Sequence, residues 1–175
     1  MICTTFWQKN IVELIQVILN YCTMDWKEIK KKLYYTDDDY IRDVIAFHLR
    51  DEAWDIISNY ISQQTLFYVS KSITSSASVE KKMDGAIITI YLENNPLIRW
   101  YLNSRNILEM DVDARFVTNE NIHNTICSFF VNLSNMLDNK IYMLDDMIKE
   151  ESVILIEFKP HKPANILMQT RYLRI

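Results

Sequence analysis

The segment "AIITIYLENNPLIRWYLNSRNILEMDV", residues 86–112, decides the fold because it contains three runs in which apolar and polar residues alternate. Asn94–Pro96 separates the first run from the second, and Asn103 and Asn106 stand between the second and the third. Alternating runs bounded by turn-forming residues at intervals of about eight to twelve positions are typical of consecutive antiparallel strands. The segment therefore predicts a β-meander.

Apolar residues at helical spacing predict helices on either side of the meander. This spacing is present at residues 51–61, where Asp51 is a candidate N-cap, and it is clearest at residues 122–137. It also occurs at residues 6–22, which predicts an added N-terminal helix within residues 1–23.

Additional strand-like runs precede and follow the meander, and together with the helices they predict the fold class. These runs are "KLYYT", "DYIRDVIAFHL", "TLFYVSKSI", "KIYML", "SVILIEF" and "NILMQTRYLRI", of which the last is either a strand or a tail. Residues 70–84 are rich in small polar side chains, which predicts a flexible loop. We expect a single α+β domain over residues 1–175, with a mostly antiparallel sheet packed by two or three helices.

Glycine is almost absent from this sequence, and its scarcity excludes several kinds of enzyme site. Gly85 is the only glycine in 175 residues, whereas average usage of about 7% would give roughly twelve. Dinucleotide-binding loops, phosphate-binding loops and the nucleophile elbow of α/β-hydrolases each need several glycines. Asn and Asp are therefore expected at the left-handed turn positions.

The cysteines and the apolar segments bear on localisation. Cys3, Cys22 and Cys127 are odd in number, far apart and without a C-x-x-C pair, so neither a disulfide framework nor a zinc knuckle is predicted. No apolar segment is long and uncharged enough for a signal peptide or a membrane span. We expect a cytoplasmic protein that does not insert into membranes.

Charge is distributed unevenly along a chain whose net charge is −4. Residues 109–157 hold ten acidic and three basic side chains, whereas residues 159–175 hold four basic side chains and no acidic one. An acidic middle segment is a poor surface for direct nucleic-acid binding, and it suits a basic protein partner. The alternative is an acidic surface that serves only solubility.

The aspartate triplet Asp37–Asp39 raises the question of a metal site. A calcium loop that starts at its first residue needs an oxygen ligand at the fifth position, glycine at the sixth and glutamate at the twelfth. Ile41, Arg42 and His48 occupy those positions. The triplet is therefore predicted to be the turn of a hairpin between "KLYYT" and "DYIRDVIAF".

A second carboxylate pattern, in "DDMIKEESVILIEFK", is compatible with a metal-dependent nuclease. Asp145 or Asp146 would be one Mg²⁺ ligand and Glu157 the other, with Lys159 next to the attacked phosphate. The alternative is a core strand whose last residues become polar as the strand leaves the sheet.

Two longer segments carry a resemblance to a protein family. "MDWKEIKKKLYYTDDDYIRDVIAFHLRDEAWDIISNYI" resembles the opening of bacterial immunity proteins of contact-dependent growth inhibition and related polymorphic toxin systems, where an early hairpin precedes a helix with a central tryptophan. "FVTNENIHNTICSFFVNLSNMLDNKIYMLDD" is similar to their penultimate unit of a long helix and an acidic strand end. The resemblance covers approximately residues 24–158.

The resemblance implies a cytosolic, non-enzymatic inhibitor without a cofactor that occludes the active site of one cognate toxin domain. Such toxins are commonly nucleases, for example EndoU-type ribonucleases, whose clefts are basic. An acidic inhibitor would suit such a cleft because opposed fields accelerate encounter. The expected partner-binding residues are Asp111, Asp113, Asp145, Asp146 and Glu150, with Asp37, Asp38 and Asp39 as a second group. A small metal-dependent nuclease and a viral or secretion-system accessory protein are the alternatives.

Overall fold

The computed structural model describes residues 24–34, 40–63, 67–71, 86–92, 95–102, 104, 106–145 and 153–170. Several predictions, among them the partner-binding roles of Asp37, Asp38 and Asp39, fall partly or wholly outside these ranges. The others include the N-terminal helix within 1–23, the turn at Asp37–Asp39, the loop at 70–84 beyond its first two residues, and the partner-binding roles of Asp146 and Glu150.

The described residues form an eight-stranded sheet in which all neighbouring strands are antiparallel. The strands are β1 Ile41–Ala46, β2 Phe67–Lys71, β3 Ala86–Leu92, β4 Asn95–Leu102, β5 Leu108–Asp113, β6 Ile141–Leu144, β7 Val153–Phe158 and β8 Asn165–Thr170. Their order across the sheet is β2-β3-β4-β5-β1-β6-β7-β8. The predicted meander is confirmed as β3, β4 and β5, and the carboxyl-terminal run is a strand.

Three α-helices accompany the sheet in the described part of the chain: α1 Trp26–Ile29, α2 Ala53–Gln63 and α3 Glu120–Leu137. A π-helical turn, Lys30–Tyr34, continues α1, and a 3₁₀ turn, Ala114–Phe116, precedes α3. The Asn119 side chain caps α3 by accepting from the Ile122 amide at 3.0 Å. Asp138 ends α3 in the left-handed conformation, with φ 49° and ψ 42°, at a position that glycine most often fills. The α+β fold class is confirmed.

The main core lies between the helices and one face of the sheet. Trp100 of β4 stacks on Trp54 of α2 with ring centroids 5.0 Å apart. Phe130 of α3 lies between Phe129 and Phe158, at centroid distances of 5.1 and 5.3 Å. A smaller apolar cluster, formed by strand and loop residues, lies on the other face around Leu144. Among the described residues, no helix packs on this second face, which includes Asp43 of β1, Arg99 of β4 and Asp111 of β5 and which we call the helix-free face.

The predicted hairpin with "KLYYT" as its first strand was wrong, because the structure continues the helix through this segment to Tyr34. The Asp25 side chain accepts from the Glu28 amide at 2.8 Å, and Glu28 pairs with Lys32 one turn later at 2.6 Å. Both edges of β1 are occupied, one by β5 and one by β6. A local helix start and distant strand pairing together outweigh the β-propensity of Tyr34.

A fully buried histidine fastens the π-helical turn to α3. His123 has no exposed surface, and its Nδ1 is 2.8 Å from the Tyr34 hydroxyl. The Cys127 sulfur lies 3.6 Å from its Nε2, and the Trp26 ring packs 6.1 Å away. Burial lowers the pKa of His123 to about 4, because the charged ring would lose its hydration.

This burial makes stability depend on pH in a defined window. In the unfolded chain the pKa of a histidine is about 6.5, so between roughly pH 6.5 and 4 the unfolded state binds a proton that the folded state does not. The contribution of neutral His123 to the free energy of unfolding is fully present above pH 6.5 and is lost as pH falls toward 4. The free energy of unfolding changes by about 3 kcal/mol over this window. Urea unfolding at a series of pH values measures it. In the double variant Tyr34→Phe/His123→Phe we expect a flatter slope over this window, and an unchanged slope would contradict the assignment.

Candidate protein-binding face

The candidate site is built around every second residue of β5, namely those whose side chains lie on the helix-free face. Successive strand residues point to opposite faces, and Met110 and Val112 of β5 lie in the main core. Glu109, Asp111 and Asp113 therefore share the other face. In register, Asp111 lies opposite Asp43 of β1 on one side and Arg99 of β4 on the other.

Asp111 is held by two side chains of β4. Arg99 donates from Nε to one carboxylate oxygen at 2.8 Å and approaches the other at 2.7 Å. The Tyr101 hydroxyl donates to the second oxygen at 2.5 Å. The carboxylate side chain is only 4% exposed, whereas that of Arg99 is 40% exposed. The buried carboxylate thus fixes the orientation of an arginine at the surface.

Titration behaviour at this site follows the same contacts. The pKa of Tyr101 is raised to about 12, mainly by burial of the hydroxyl and also by the hydrogen bond from this hydroxyl to the Asp111 carboxylate. The hydrogen bond to Asp111 also raises the pKa of Arg99. Both groups therefore keep their protons throughout the physiological pH range, so neither Arg99 nor Tyr101 is an acid or base that changes state near neutrality.

Two residues further along β5, Asp113 makes an equivalent arrangement. Arg115 donates from Nε and from a terminal nitrogen to the two oxygens of this carboxylate, at 2.9 and 2.5 Å. The hydrogen bond from Arg115 holds the pKa of Asp113 below its usual value. The Arg115 guanidinium lies 5.5 Å from the centre of the Tyr40 ring, just as that of Arg99 lies 5.9 Å from the Tyr101 ring.

The helix-free face therefore carries the same unit twice: a carboxylate from β5, a guanidinium bound to it through two nitrogens, and a tyrosine ring beside the guanidinium. We call these units the Arg99–Tyr101 pair and the Arg115–Tyr40 pair. Asp111 and Asp113 are two residues apart on β5, so their side chains lie on the same face of the sheet and the two pairs are neighbours there. Bidentate contacts of this kind restrict the arginine geometry.

Comparison with family models, with curated proteins and with solved structures finds no match for this chain.

Two of the predicted partner-binding aspartates, Asp111 and Asp113, are placed beneath arginines rather than outermost. Asp111 and Asp113 lie in β5 with their charges already paired, so a partner approaching this face meets Arg99 and Arg115 first. Asp145 lies at the loop end of the β6–β7 hairpin and accepts from the Val153 amide at 2.8 Å. The partner-binding roles of these aspartates stay predictions.

Two carboxylates of the nuclease alternative, Asp145 and Glu157, lie near opposite ends of β7, and Asp146, the other candidate ligand, lies outside the described residues. Glu157 lies opposite Tyr142 and pairs with Lys159 at 2.9 Å, whereas Asp145 pairs near Val153, at the other end of β7. Four residues of extended strand span about 13 Å, and no single ion bridges carboxylates so far apart. Among the described residues, no three or more His, Cys, Asp or Glu side chains are placed to hold a metal ion.

None of the helices in the described part of the chain combines the length and the apolar character that crossing a bilayer requires.

Proposed function

We propose that this chain is an immunity protein, a non-enzymatic cytoplasmic inhibitor that binds a basic nuclease toxin domain and covers its active site. The helix-free sheet face with its two arginine–tyrosine pairs is the observation that supports a binding role. Its side chains are held by hydrogen bonds in one arrangement before any partner arrives, which reduces the ordering cost of association. The sequence resemblance supports the choice of a toxin as the partner.

Charge supports a basic partner. Around the two pairs, four carboxylates and two guanidinium groups of the described residues give this part of the face a formal charge of −2, and Glu157 lies further across the sheet, paired with Lys140 and Lys159. The four carboxylates are Asp43, Glu109, Asp111 and Asp113. The whole chain carries −4. An acidic protein is attracted to the positive cleft in which a nuclease holds its substrate, and complementary fields raise association rates.

The same charge argues against direct binding of nucleic acid. A protein that binds a phosphate backbone presents unpaired lysines and arginines along its surface. Here the two arginines of the helix-free face are each bound to a carboxylate, so their charge is compensated locally. Protein contact therefore fits this face better than phosphate contact.

The proposal is tested with the protein encoded by the gene next to that of this chain, which we expect to contain a basic nuclease toxin domain. We expect the purified toxin domain to degrade its nucleic acid alone and to lose that activity when the immunity protein is added at equal concentration. An unrelated acidic protein of the same size and charge serves as the control, because any polyanion weakens a basic nuclease to some extent. Undiminished nuclease activity at a tenfold excess of this chain, or unprotected growth of cells that co-express both proteins, would refute the proposal.

A further inference from the structure

The structure also indicates which residues of the helix-free face carry affinity. We propose that the Arg115–Tyr40 pair and the Arg99–Tyr101 pair are the anchors of the toxin interface and that the carboxylates beneath them act by positioning the arginines. This inference rests on the proposed function, since it takes the toxin domain as the partner.

Exposure distinguishes the anchors from their supports. The side chain of Arg115 is 58% exposed and that of its carboxylate partner Asp113 is 11% exposed. Tyr40, which flanks Arg115, is 45% exposed and is one of two large apolar residues that are exposed in the described part of the chain. The surface offered to a partner is therefore guanidinium and aromatic ring. Arginine and tyrosine are also the side chains that dominate measured hot spots in protein interfaces.

Unused hydrogen-bonding capacity adds to this argument. A guanidinium has five N–H groups in a planar fork. In both pairs the contacts to the carboxylate involve Nε and one terminal nitrogen, which leaves the other terminal nitrogen directed away from that carboxylate. Because Arg99 and Arg115 are fixed on their carboxylates, these donors have defined positions and can bind a partner with little further loss of side-chain entropy.

The partner group that fits these donors is a neutral acceptor. An anionic group such as a phosphate would be repelled by the net charge of −2 around it, whereas a backbone carbonyl would accept from the guanidinium without that cost. Cationic side chains of the same partner would lie near Asp43 and Glu109, which flank the row on the same face. The geometry thus fits a basic protein that contacts the pairs through a loop with accessible carbonyl oxygens.

Three variants of the full chain test the inference against the toxin domain of the adjacent gene. We expect Tyr40→Ala and Arg115→Lys each to raise the dissociation constant at least about tenfold, because the first removes the ring and the second keeps the charge but loses the planar fork. Met136→Ala is the matched control. Met136 is the other large apolar residue that is exposed among the described residues, and it belongs to α3, which packs on the face of the sheet opposite the two pairs. We expect it to leave binding within about twofold of the unchanged chain.

The outcomes separate the two proposals. If the unchanged chain binds the toxin domain and the Tyr40→Ala and Arg115→Lys variants bind it with the same affinity, the assignment of the anchors is wrong and the proposed immunity function still holds. Equal losses of affinity in all three variants would also show that the assignment of the anchors is wrong, because the face that carries Met136 would then contribute as much to binding as the two pairs. Absence of binding by the unchanged chain would overturn the function and the anchors together. A single-stranded RNA probe forms the last arm, since RNA binding that Tyr40→Ala abolishes would assign the face to nucleic acid instead.

Thermal unfolding of each variant verifies that the comparison concerns binding. The substituted side chains are among the more exposed of the described residues, so we expect each melting temperature to stay close to that of the unchanged chain.

Discussion

Trp100→Ala is expected to lower the free energy of unfolding by about 3–5 kcal/mol, the largest loss from any single truncation considered for this chain. Trp100 is the largest fully buried side chain among the described residues, and it lies in β4, where it stacks on Trp54 of α2. Its removal leaves a cavity between the sheet and the helix that rigid strands cannot close. Urea unfolding followed by circular dichroism gives the difference.

Trp100→Phe provides the informative comparison. The indole Nε1 is buried without an acceptor among the described residues, so the native side chain already bears the cost of an unpaired polar group. Phenylalanine removes that group and keeps an aromatic ring against Trp54. We expect a loss of only about 1–2 kcal/mol. A loss as great as that of Trp100→Ala would mean that the N–H has a partner and that its contact stabilises the fold.

Arg99→Ala is expected to destabilise the chain by about 2–3 kcal/mol, more than is usual for a side chain that is 40% exposed. The substitution removes the guanidinium that compensates the Asp111 carboxylate. The carboxylate then stays buried in the sheet, and among the described residues the Tyr101 hydroxyl still donates to it. It also lies directly opposite Asp43 in register. Like charges that face each other across two strands destabilise the pair.

A second substitution distinguishes this mechanism from simple loss of packing. Asp111→Asn in the Arg99→Ala background removes the uncompensated charge and keeps a group of the same size that accepts from Tyr101. We therefore expect Arg99→Ala/Asp111→Asn to be more stable than Arg99→Ala alone by at least about 1 kcal/mol. If the double variant is no more stable than the single one, the cost of Arg99→Ala arises from lost contacts of the arginine stem.

Local patterns in the sequence predicted most of the secondary structure. The alternation in residues 86–112 with its Asn-rich turns predicted β3, β4 and β5, and the spacing of apolar residues predicted α2 and α3. The helical form of residues 32–34, at the start of "KLYYT", was missed because Tyr favours strands when taken alone. The deciding contacts are partly non-local: the Arg42 Nε donates to the Leu33 carbonyl at 2.6 Å and holds the turn against β1.

The candidate site was harder to predict, since it depends on strand register. Arg99 and Tyr101 alternate on β4 as Asp111 and Asp113 do on β5, and this shared period of two was visible in the sequence. The contact of Arg99 with Asp111 follows from the register between β4 and β5, which composition does not specify, whereas Arg115 binds an aspartate only two residues away. The aspartates were therefore predicted as a surface charge, whereas the structure places their arginines outermost.

The position of β1 has a consequence for the synthesis of this protein. β1 ends at Ala46, but the strands on its two sides begin at Leu108 and Ile141. A ribosome therefore releases the central strand long before either of its neighbours exists, and both edges of that strand stay open to other chains during translation. Because pairings between distant segments form slowly, we expect both edges of β1 to be paired only after α3 and β6 have emerged. The first of the described strands to be made is therefore one whose pairing is completed late in synthesis.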